Sequence, residues 1–172
     1  MLSALAVACG GSGGAATPTD AFTRGLAAQS AGKYDEATNA YFEVLSKDAK
    51  NSGAFFNLGL IAQLQSRPVA AESYYRLALE QEPKNAKALF NLAIIRSNAG
   101  APQEAVDLYR QVIALLPNDA GAHFNLGLVL RQLGQTAAAQ QELATAQRLD
   151  PTLVAPGASA TPARQASPSP SR

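Results

Sequence analysis

The chain has 172 residues, a length that allows one domain with a core but not two of ordinary size, and its hydrophobic fraction of 47% predicts that it folds. Its 36 alanines favour an all-α protein, because alanine is the best helix former and a poor strand former. A net charge of +1 excludes the strongly basic surface of a nucleic-acid-binding protein, and one cysteine with one histidine leaves no internal disulfide, thiolate zinc cluster, metal site or cofactor to predict.

The first 17 residues, MLSALAVACGGSGGAAT, are apolar and then rich in glycine. An apolar run, small residues, a cysteine and a glycine/serine stretch in that order resemble the end of a bacterial lipoprotein signal. The resemblance implies that Cys9 becomes an acylated N-terminus. The segment departs from such signals because no lysine or arginine precedes the apolar run, which has only eight residues. We therefore expect residues 1–17 to be a signal end and tether that anchors an extracytoplasmic protein in the cell envelope. The alternative is a cytoplasmic protein with an incidental cysteine.

The middle of the chain, residues 18–151, repeats itself every 34 residues. The phrase FFNLGL at 55–60 recurs as LFNLAI after 34 residues and as HFNLGL after another 34. A fixed period of this length indicates a solenoid. The four units are 18–51, 52–85, 86–119 and 120–153. The matching columns are Phe22, Phe56, Phe90 and Phe124; Gly25, Gly59, Ala93 and Gly127; Ala37, Ala71, Ala105 and Ala139; Tyr41, Tyr75, Tyr109 and Leu143; and Pro83, Pro117 and Pro151.

Each unit is predicted to form two helices. In the second unit the first helix is expected near Ser52–Gln65, where apolar residues recur at helical spacing. Pro68 lies where the second helix begins, since proline suits a first helical turn, and Pro83 ends that helix. The small residues of the glycine column let the two helices approach to about 8 Å. The alanine column is expected on the other side of that contact, and the tyrosine column against the following unit.

This unit, with a leucine–glycine pair followed by alanine, tyrosine, alanine and proline, resembles the tetratricopeptide repeat. The first unit departs most from the pattern, with Arg24 in place of the leucine and Ala49 in place of the proline, as terminal repeats often do. The resemblance implies an all-α fold, a right-handed α-solenoid of four helix–turn–helix repeats whose first helices line a concave groove. It also implies a protein that binds peptides or proteins and is not an enzyme. In the second unit the pattern is carried by Leu58, Gly59, Ala71, Tyr75, Ala78 and Pro83.

The resemblance also indicates which residues meet a ligand. In this family the sixth residue of each unit typically faces the groove, and that column here is Thr23, Asn57, Asn91 and Asn125. An asparagine amide both donates and accepts, so a ladder of amides can bond to the backbone of an extended peptide. The alternative is that these amides cap or bridge neighbouring helices. The other expected peptide-binding residues are Gln29, Gln63, Lys87, Arg96 and Arg131. The three basic residues among them could grip a C-terminal carboxylate, although a solvated face is the interpretation we favour.

Two further interpretations concern ring side chains. The phenylalanine column is expected to serve the core rather than to form a platform for a ligand. His123 takes the place of Phe55 and Leu89 in its own unit and is expected to be a partly exposed helix residue.

Residues 152–172 contain proline, serine, alanine and threonine and no acidic residue, and are predicted to be disordered. They hold four prolines and so cannot form the extra helix that usually covers a last repeat. In the last helix, near Thr136–Leu149, Leu143 replaces the tyrosine, and Gln147 stands where other units have leucine or isoleucine. These changes reduce exposed apolar area, so we expect a monomer, with end-to-end dimerisation through this helix as the alternative.

Together these features predict a scaffold that binds a peptide or protein in its groove, does not bind nucleic acid and assists assembly of an envelope complex from a lipid anchor. The alternative is a substrate-recruiting or regulatory module of an enzyme system such as a glycosyltransferase or a protease.

Overall fold

The computed structural model describes residues 20–155, and this part of the chain forms eight α-helices and no strand. The helices come in four pairs, one pair to each sequence repeat, and each helix packs on the helices before and after it in the chain. The predicted all-α solenoid is confirmed. The predicted lipoprotein-like segment 1–17 and residues 156–172 of the predicted tail lie outside the described residues. The helices are α1 (Ala21–Ser30), α2 (Tyr34–Lys47), α3 (Ser52–Leu64), α4 (Pro68–Gln81), α5 (Ala86–Asn98), α6 (Pro102–Leu115), α7 (Ala120–Gln132) and α8 (Thr136–Leu149).

The two helices of a unit begin in different ways. The first helix of every unit is capped by an Asp or Asn whose side-chain oxygen accepts the backbone N–H three residues later, which satisfies one of the otherwise unpaired donors of the first turn. The second helices have no such side-chain cap, but Pro68 and Pro102 occupy the first turn of α4 and α6, as predicted. The capping residues are Asp20, Asn51, Asn85 and Asp119, at 2.8, 2.9, 3.1 and 2.8 Å.

The turn between the two helices of a unit requires one residue in the left-handed region. Three units place glycine there, with φ between 71° and 78°, whereas the second unit places Ser66 there with φ 57°. A side chain in this region is strained because its Cβ approaches the following carbonyl oxygen. The second unit therefore keeps a strained turn that its neighbours avoid. The three glycines are Gly32, Gly100 and Gly134.

The column of small residues allows close packing within each unit, as predicted. A Cβ on Gly59 would lie 2.6 Å from a ring carbon of Tyr75, and one on Gly127 would lie 2.6 Å from Leu143 Cγ. The group opposite the glycine is thus mainly the tyrosine or leucine of the same unit, where the sequence predicted alanine. The fully buried Tyr41 also shares a core cluster with Leu58 and Ile61 of the next unit, which confirms the predicted contact between units.

The core divides into two clusters of buried residues. The smaller one joins the first unit to α3 and includes Tyr41, Leu58 and Ile61. The larger one runs continuously from Ala62, near the end of α3, to Ala139 in α8. Both clusters draw residues from α3, and Tyr74 of α4 packs against both of them.

After α8 the described chain continues without a helix, in agreement with the sequence. Leu153, Val154 and Ala155 lie beside Leu143 and Gln147 of α8 and enclose with them a cavity of about 240 Å³. The chain itself therefore covers part of the face that a fifth repeat would occupy.

Candidate peptide-binding face

The four first helices, α1, α3, α5 and α7, contain no aspartate or glutamate. The acidic residues of the chain lie instead on the second helices, at helix caps and in turns. We call the side of the first helices that carries Lys87, Asn91 and Asn125 the inner face; the family resemblance predicts that it lines the concave groove. Arg24 and Arg96 of the first helices pair with glutamates of the second helices, and Asp119 lies beside the cavity that Lys87 lines, so the inner face suits a ligand without strong charge.

Two apolar columns run along the inner face. The phenylalanines at the fifth position of each unit are half-buried, and the first three meet the tyrosine of their own unit with ring centroids 5.6 to 5.9 Å apart. This packing confirms their predicted role in the core. At the ninth position lies a second column, of which Leu26 is 45% exposed and the others are half-buried. The second column is Leu26, Leu60, Ile94 and Leu128.

The predicted asparagine ladder divides into two kinds of residue. Asn57 is buried, and its Nδ2 donates to the carbonyl oxygen of Gly53 at 2.9 Å, so this amide supports its own helix. Asn91 and Asn125 are half-buried. Asn91 lines a cavity of about 250 Å³ at the N-terminal end of α5, together with the predicted Lys87, with Phe56 and Phe90, and with Asp119, the cap of α7. The structure thus brings two of the predicted binding residues to one apolar cavity on the inner face.

The two glutamines that were predicted to bind a peptide accept hydrogen bonds from buried tyrosines. The Tyr41 hydroxyl donates to Gln29 Oε1 at 2.9 Å, and the Tyr75 hydroxyl donates to Gln63 Oε1 at 2.8 Å. Burial raises the pKa of Tyr41 to about 12 and raises that of Tyr75 as well, so both hydroxyls keep their protons and remain donors. The sequence did not predict these bonds, although the shared spacing of 12 residues between glutamine and tyrosine was a usable signal.

The predicted Arg96 belongs to a network of charges that joins the second and third units. Its Nη1 lies 3.1 Å from Glu72 Oε2, and its Nε donates to Glu104 Oε2 at 2.7 Å. Arg76 donates to Glu104 Oε1 at 2.7 Å and also pairs with Glu72. Arg96 is therefore held by two carboxylates. Lys87 lines the inner-face cavity, and Arg131 lies at an exposed position of α7.

This network makes stability depend on pH. Burial raises the pKa of Glu104, but hydrogen bonds and attraction from Arg76 and Arg96 outweigh it and leave that pKa below its ordinary value of 4.5. A lowered carboxyl pKa stabilises the folded state above the ordinary value, and the contribution is lost as pH falls below 4.5.

We expect Glu104→Gln to lower the free energy of unfolding at pH 7 by about 1 kcal/mol, because the network is partly exposed and screened. The difference from the wild-type protein should shrink as pH falls from 4.5 towards 3. Urea unfolding at several pH values measures this difference. The control is Glu80→Gln, which changes an exposed carboxylate outside the network. A difference between wild type and Glu104→Gln that stays constant with pH would contradict this assignment.

His123 is buried, so the prediction of a partly exposed side chain is wrong. Its Nδ1 lies 2.6 Å from Glu142 Oε2 in α8, and its Nε2 lies 2.9 Å from the carbonyl oxygen of Pro117. Because a carbonyl oxygen only accepts, Nε2 carries a proton that it donates to Pro117. Both polar atoms of the ring have partners, which is why an imidazole replaces the apolar side chain of the other units at this position.

The predicted lipidation site, Cys9, lies outside the described residues. Within residues 20–155, no helix combines the length and the apolar character needed to cross a membrane.

Comparison with solved structures shows the same architecture in other proteins. MamA covers 77% of this chain and 77% of its own at 18% identity, with a TM-score of 0.70. MamA AMB-1 covers 78% of this chain and 73% of its own at 24% identity, with a TM-score of 0.68. YrrB, described as a TPR protein with an unusual peptide-binding site, covers 76% of this chain and 68% of its own at 23% identity, with a TM-score of 0.67. At these identities the likeness concerns the fold alone.

Family comparison assigns the repeats themselves. No curated protein sequence matches the chain. Three family models, each described as a tetratricopeptide repeat, match residues 22–86, 74–107 and 97–156 and together run through the whole helical region. The matched segments contain all eight helices, the small-residue column and the inner face. The chain therefore belongs to the tetratricopeptide repeat proteins.

Proposed function

We propose that the protein is a non-catalytic scaffold that binds a peptide or protein segment on its inner face. The observation that carries the proposal is the acid-free surface of the first helices, with its two apolar columns and the cavity beside Lys87 and Asn91. Apolar side chains of a ligand would gain from burial against the column of Leu26, Leu60, Ile94 and Leu128. YrrB, which has the same fold, is described as having an unusual peptide-binding site, and this supports the proposal.

The polar residues of the inner face would orient the bound segment. The amides of Asn91 and Asn125 can each donate to and accept from the backbone of an extended segment. Lys87 and Arg131 attract acidic groups on the ligand over the range of about a Debye length, roughly 8 Å at physiological ionic strength. The favoured ligand is therefore an extended segment with apolar side chains and a neutral or slightly acidic character.

Selection from a random peptide display library with the full chain as bait tests this proposal. Selected peptides should contain apolar residues, should rarely contain clusters of lysine or arginine, and should shift the NMR signals of Lys87, Asn91 and Asn125. Peptides that bind but shift only residues of the second helices would contradict binding on the inner face.

We also propose that the protein acts in the cell envelope, where it assists assembly of a complex while anchored through lipid on Cys9. The order of apolar, small, cysteine, glycine and serine residues at positions 1–14 supports this. We expect Cys9→Ala to move the protein from the membrane fraction to the soluble fraction, because stable anchoring depends on acyl chains. Mass spectrometry of the native product should find a chain that starts at Cys9 with added lipid. An unmodified Met1 in the native host would contradict the anchor.

We propose that the folded protein is a monomer. Leu153, which lies beside Leu143 of α8, and the exposed glutamines of that helix support this by reducing the apolar surface at the end of the solenoid. Light scattering at rising concentration measures the mass, and twice the monomer value would contradict the proposal.

A further inference from the structure

A second cavity lies between the second and third units, at the other end of α3 and α5 from the cavity that Lys87 lines. Its volume is about 450 Å³, and apolar side chains of Pro68, Val69, Ile94 and Ile95 form much of its lining. Ser66, in the turn between α3 and α4, also lines it. We call this cavity the edge pocket. A volume of this size holds one large apolar side chain with room for neighbouring backbone.

The apolar character of this edge is specific to the second unit. Leu64 is 59% exposed and Val69 is 79% exposed, the two highest values among the large hydrophobic residues of α1 to α8. At the equivalent positions the third unit has Asn98 and Gln103. The repeat architecture therefore does not require apolar residues here, and packing within the solenoid does not explain their exposure. The first and fourth units have Ser30 with Asp35 and Gln132 with Ala137.

The strained turn adds an independent observation at the same place. Ser66 adopts φ 57°, where the other three units have glycine, and this serine lines the edge pocket. Strained residues of this kind are found preferentially at functional sites, since elsewhere they only destabilise the fold. The hydroxyl offers one donor and acceptor at the rim of an otherwise apolar pocket.

The charges at the edge pocket exclude a charged occupant. Its only ionisable lining residue is Glu72, whose two oxygens lie 3.2 and 3.1 Å from Arg96 Nη1, while Arg76 Nε donates to Oε1 at 3.0 Å. Because this carboxylate is already neutralised, a charged side chain entering the pocket would lose its hydration without gaining a partner. A neutral apolar side chain would not lose the hydration of a charge on entering the pocket.

We propose that the edge pocket is an anchor site that takes one large uncharged side chain, such as leucine, methionine or phenylalanine, of the bound protein segment, with the Ser66 hydroxyl bonding to the backbone beside it. The proposal deepens the scaffold function and rests on it, because the occupant is part of the protein ligand. It places the anchor at the edge of the solenoid, so a ligand that also occupies the inner face crosses from one end of α5 to the other.

Titration of the full ¹⁵N-labelled chain with N-acetyl-leucinamide and, separately, N-acetyl-lysinamide tests the proposal. The leucine probe should shift the amide signals of Ser66, Val69 and Asn98 with a dissociation constant on the order of 1–10 mM, as expected for so few atoms. The lysine probe should leave these signals in place at the same concentration. Equal shifts from both probes, or shifts spread evenly over the edges of all units, would overturn the proposal.

Two variants that give the second unit the residues of the third serve as matched controls. Leu64→Asn and Val69→Gln change exposed positions to the side chains found at Asn98 and Gln103, so the fold should persist. Val69→Gln should weaken binding of the leucine probe by roughly tenfold, in line with the loss of one buried apolar side chain. Leu64 lies outside the pocket lining, so its change should weaken binding less. Undiminished binding to Val69→Gln would overturn the proposal.

Ser66→Gly separates binding from stability. It should raise the melting temperature by a few degrees because the left-handed strain is removed, and should weaken the leucine probe several-fold because the hydroxyl is lost. Unchanged affinity would overturn the role of the hydroxyl. The probe should still bind to a chain with alanine at Asn91 and Asn125, so failure of the inner-face ladder and failure of the edge pocket are distinguishable.

Discussion

Replacing Tyr75 by alanine is expected to lower the free energy of unfolding by about 3–5 kcal/mol, the usual cost of deleting a large buried ring. Tyr75 is fully buried, lies over Gly59 and packs against Phe56 with ring centroids 5.9 Å apart. Since small domains are stable by only about 5–15 kcal/mol, this loss brings the protein close to unfolding. Urea unfolding followed by circular dichroism at 222 nm measures it.

The matched control is Tyr75→Phe, which keeps the ring and removes only the hydrogen bond from the hydroxyl to Gln63. Its expected cost is about 1 kcal/mol, the net value of one such bond. If the phenylalanine variant were as unstable as the alanine variant, the hydrogen bond and not the packing over Gly59 would be the main contribution of Tyr75.

Changing Asn91 and Asn125 together to alanine is expected to weaken a ligand of the inner face about thirtyfold. Each lost hydrogen bond is worth about 1 kcal/mol, and about 2 kcal/mol corresponds to that ratio of dissociation constants. Both side chains are half-buried and carry no contact that supports the helices among those described, so the melting temperature should stay nearly unchanged. Isothermal titration calorimetry with a display-selected peptide measures the affinity.

Asn57→Ala is the control for the ladder. Asn57 donates to the carbonyl oxygen of Gly53 within its own helix, so its loss should reduce stability more than affinity. The ladder would be ruled out if the double variant bound the peptide as tightly as the wild-type protein.

Much of the fold could be predicted because the sequence pattern of each repeat can be compared with that of the other three. The prolines at the start of α4 and α6 and the small residues beneath the tyrosines recur at fixed spacing, and local sterics dictate their roles. The prediction that the first helices face a ligand comes from the family resemblance.

The pairs between helices could not be predicted in the same way. His123 and Glu142 are 19 residues apart on two helices, and only the relative rotation of α7 and α8 brings the carboxylate within 2.6 Å of the ring. Arg96 bonds to Glu72 and Glu104 on α4 and α6, so its role depends on three helices at once. Ser66 carried a visible signal, since glycine occupies the same position in every other unit, but its significance depends on the pocket it lines.

The division of the core into two clusters determines which helices unfold together. Stacked repeats hold together through contacts with immediate neighbours, and segments of low stability open as cooperative groups while the rest stays folded. Because the smaller cluster meets the rest of the solenoid through α3 and through Tyr74 of α4, we expect α1 and α2 to open as such a group. A chain shortened to begin at Asn51 would give up the smaller cluster and keep the larger one whole, along with both cavities between α3 and α5. Such a chain would lose Phe22 and Leu26 of the inner face but keep Lys87 and Asn91, so opening of the first repeat leaves both cavities in place.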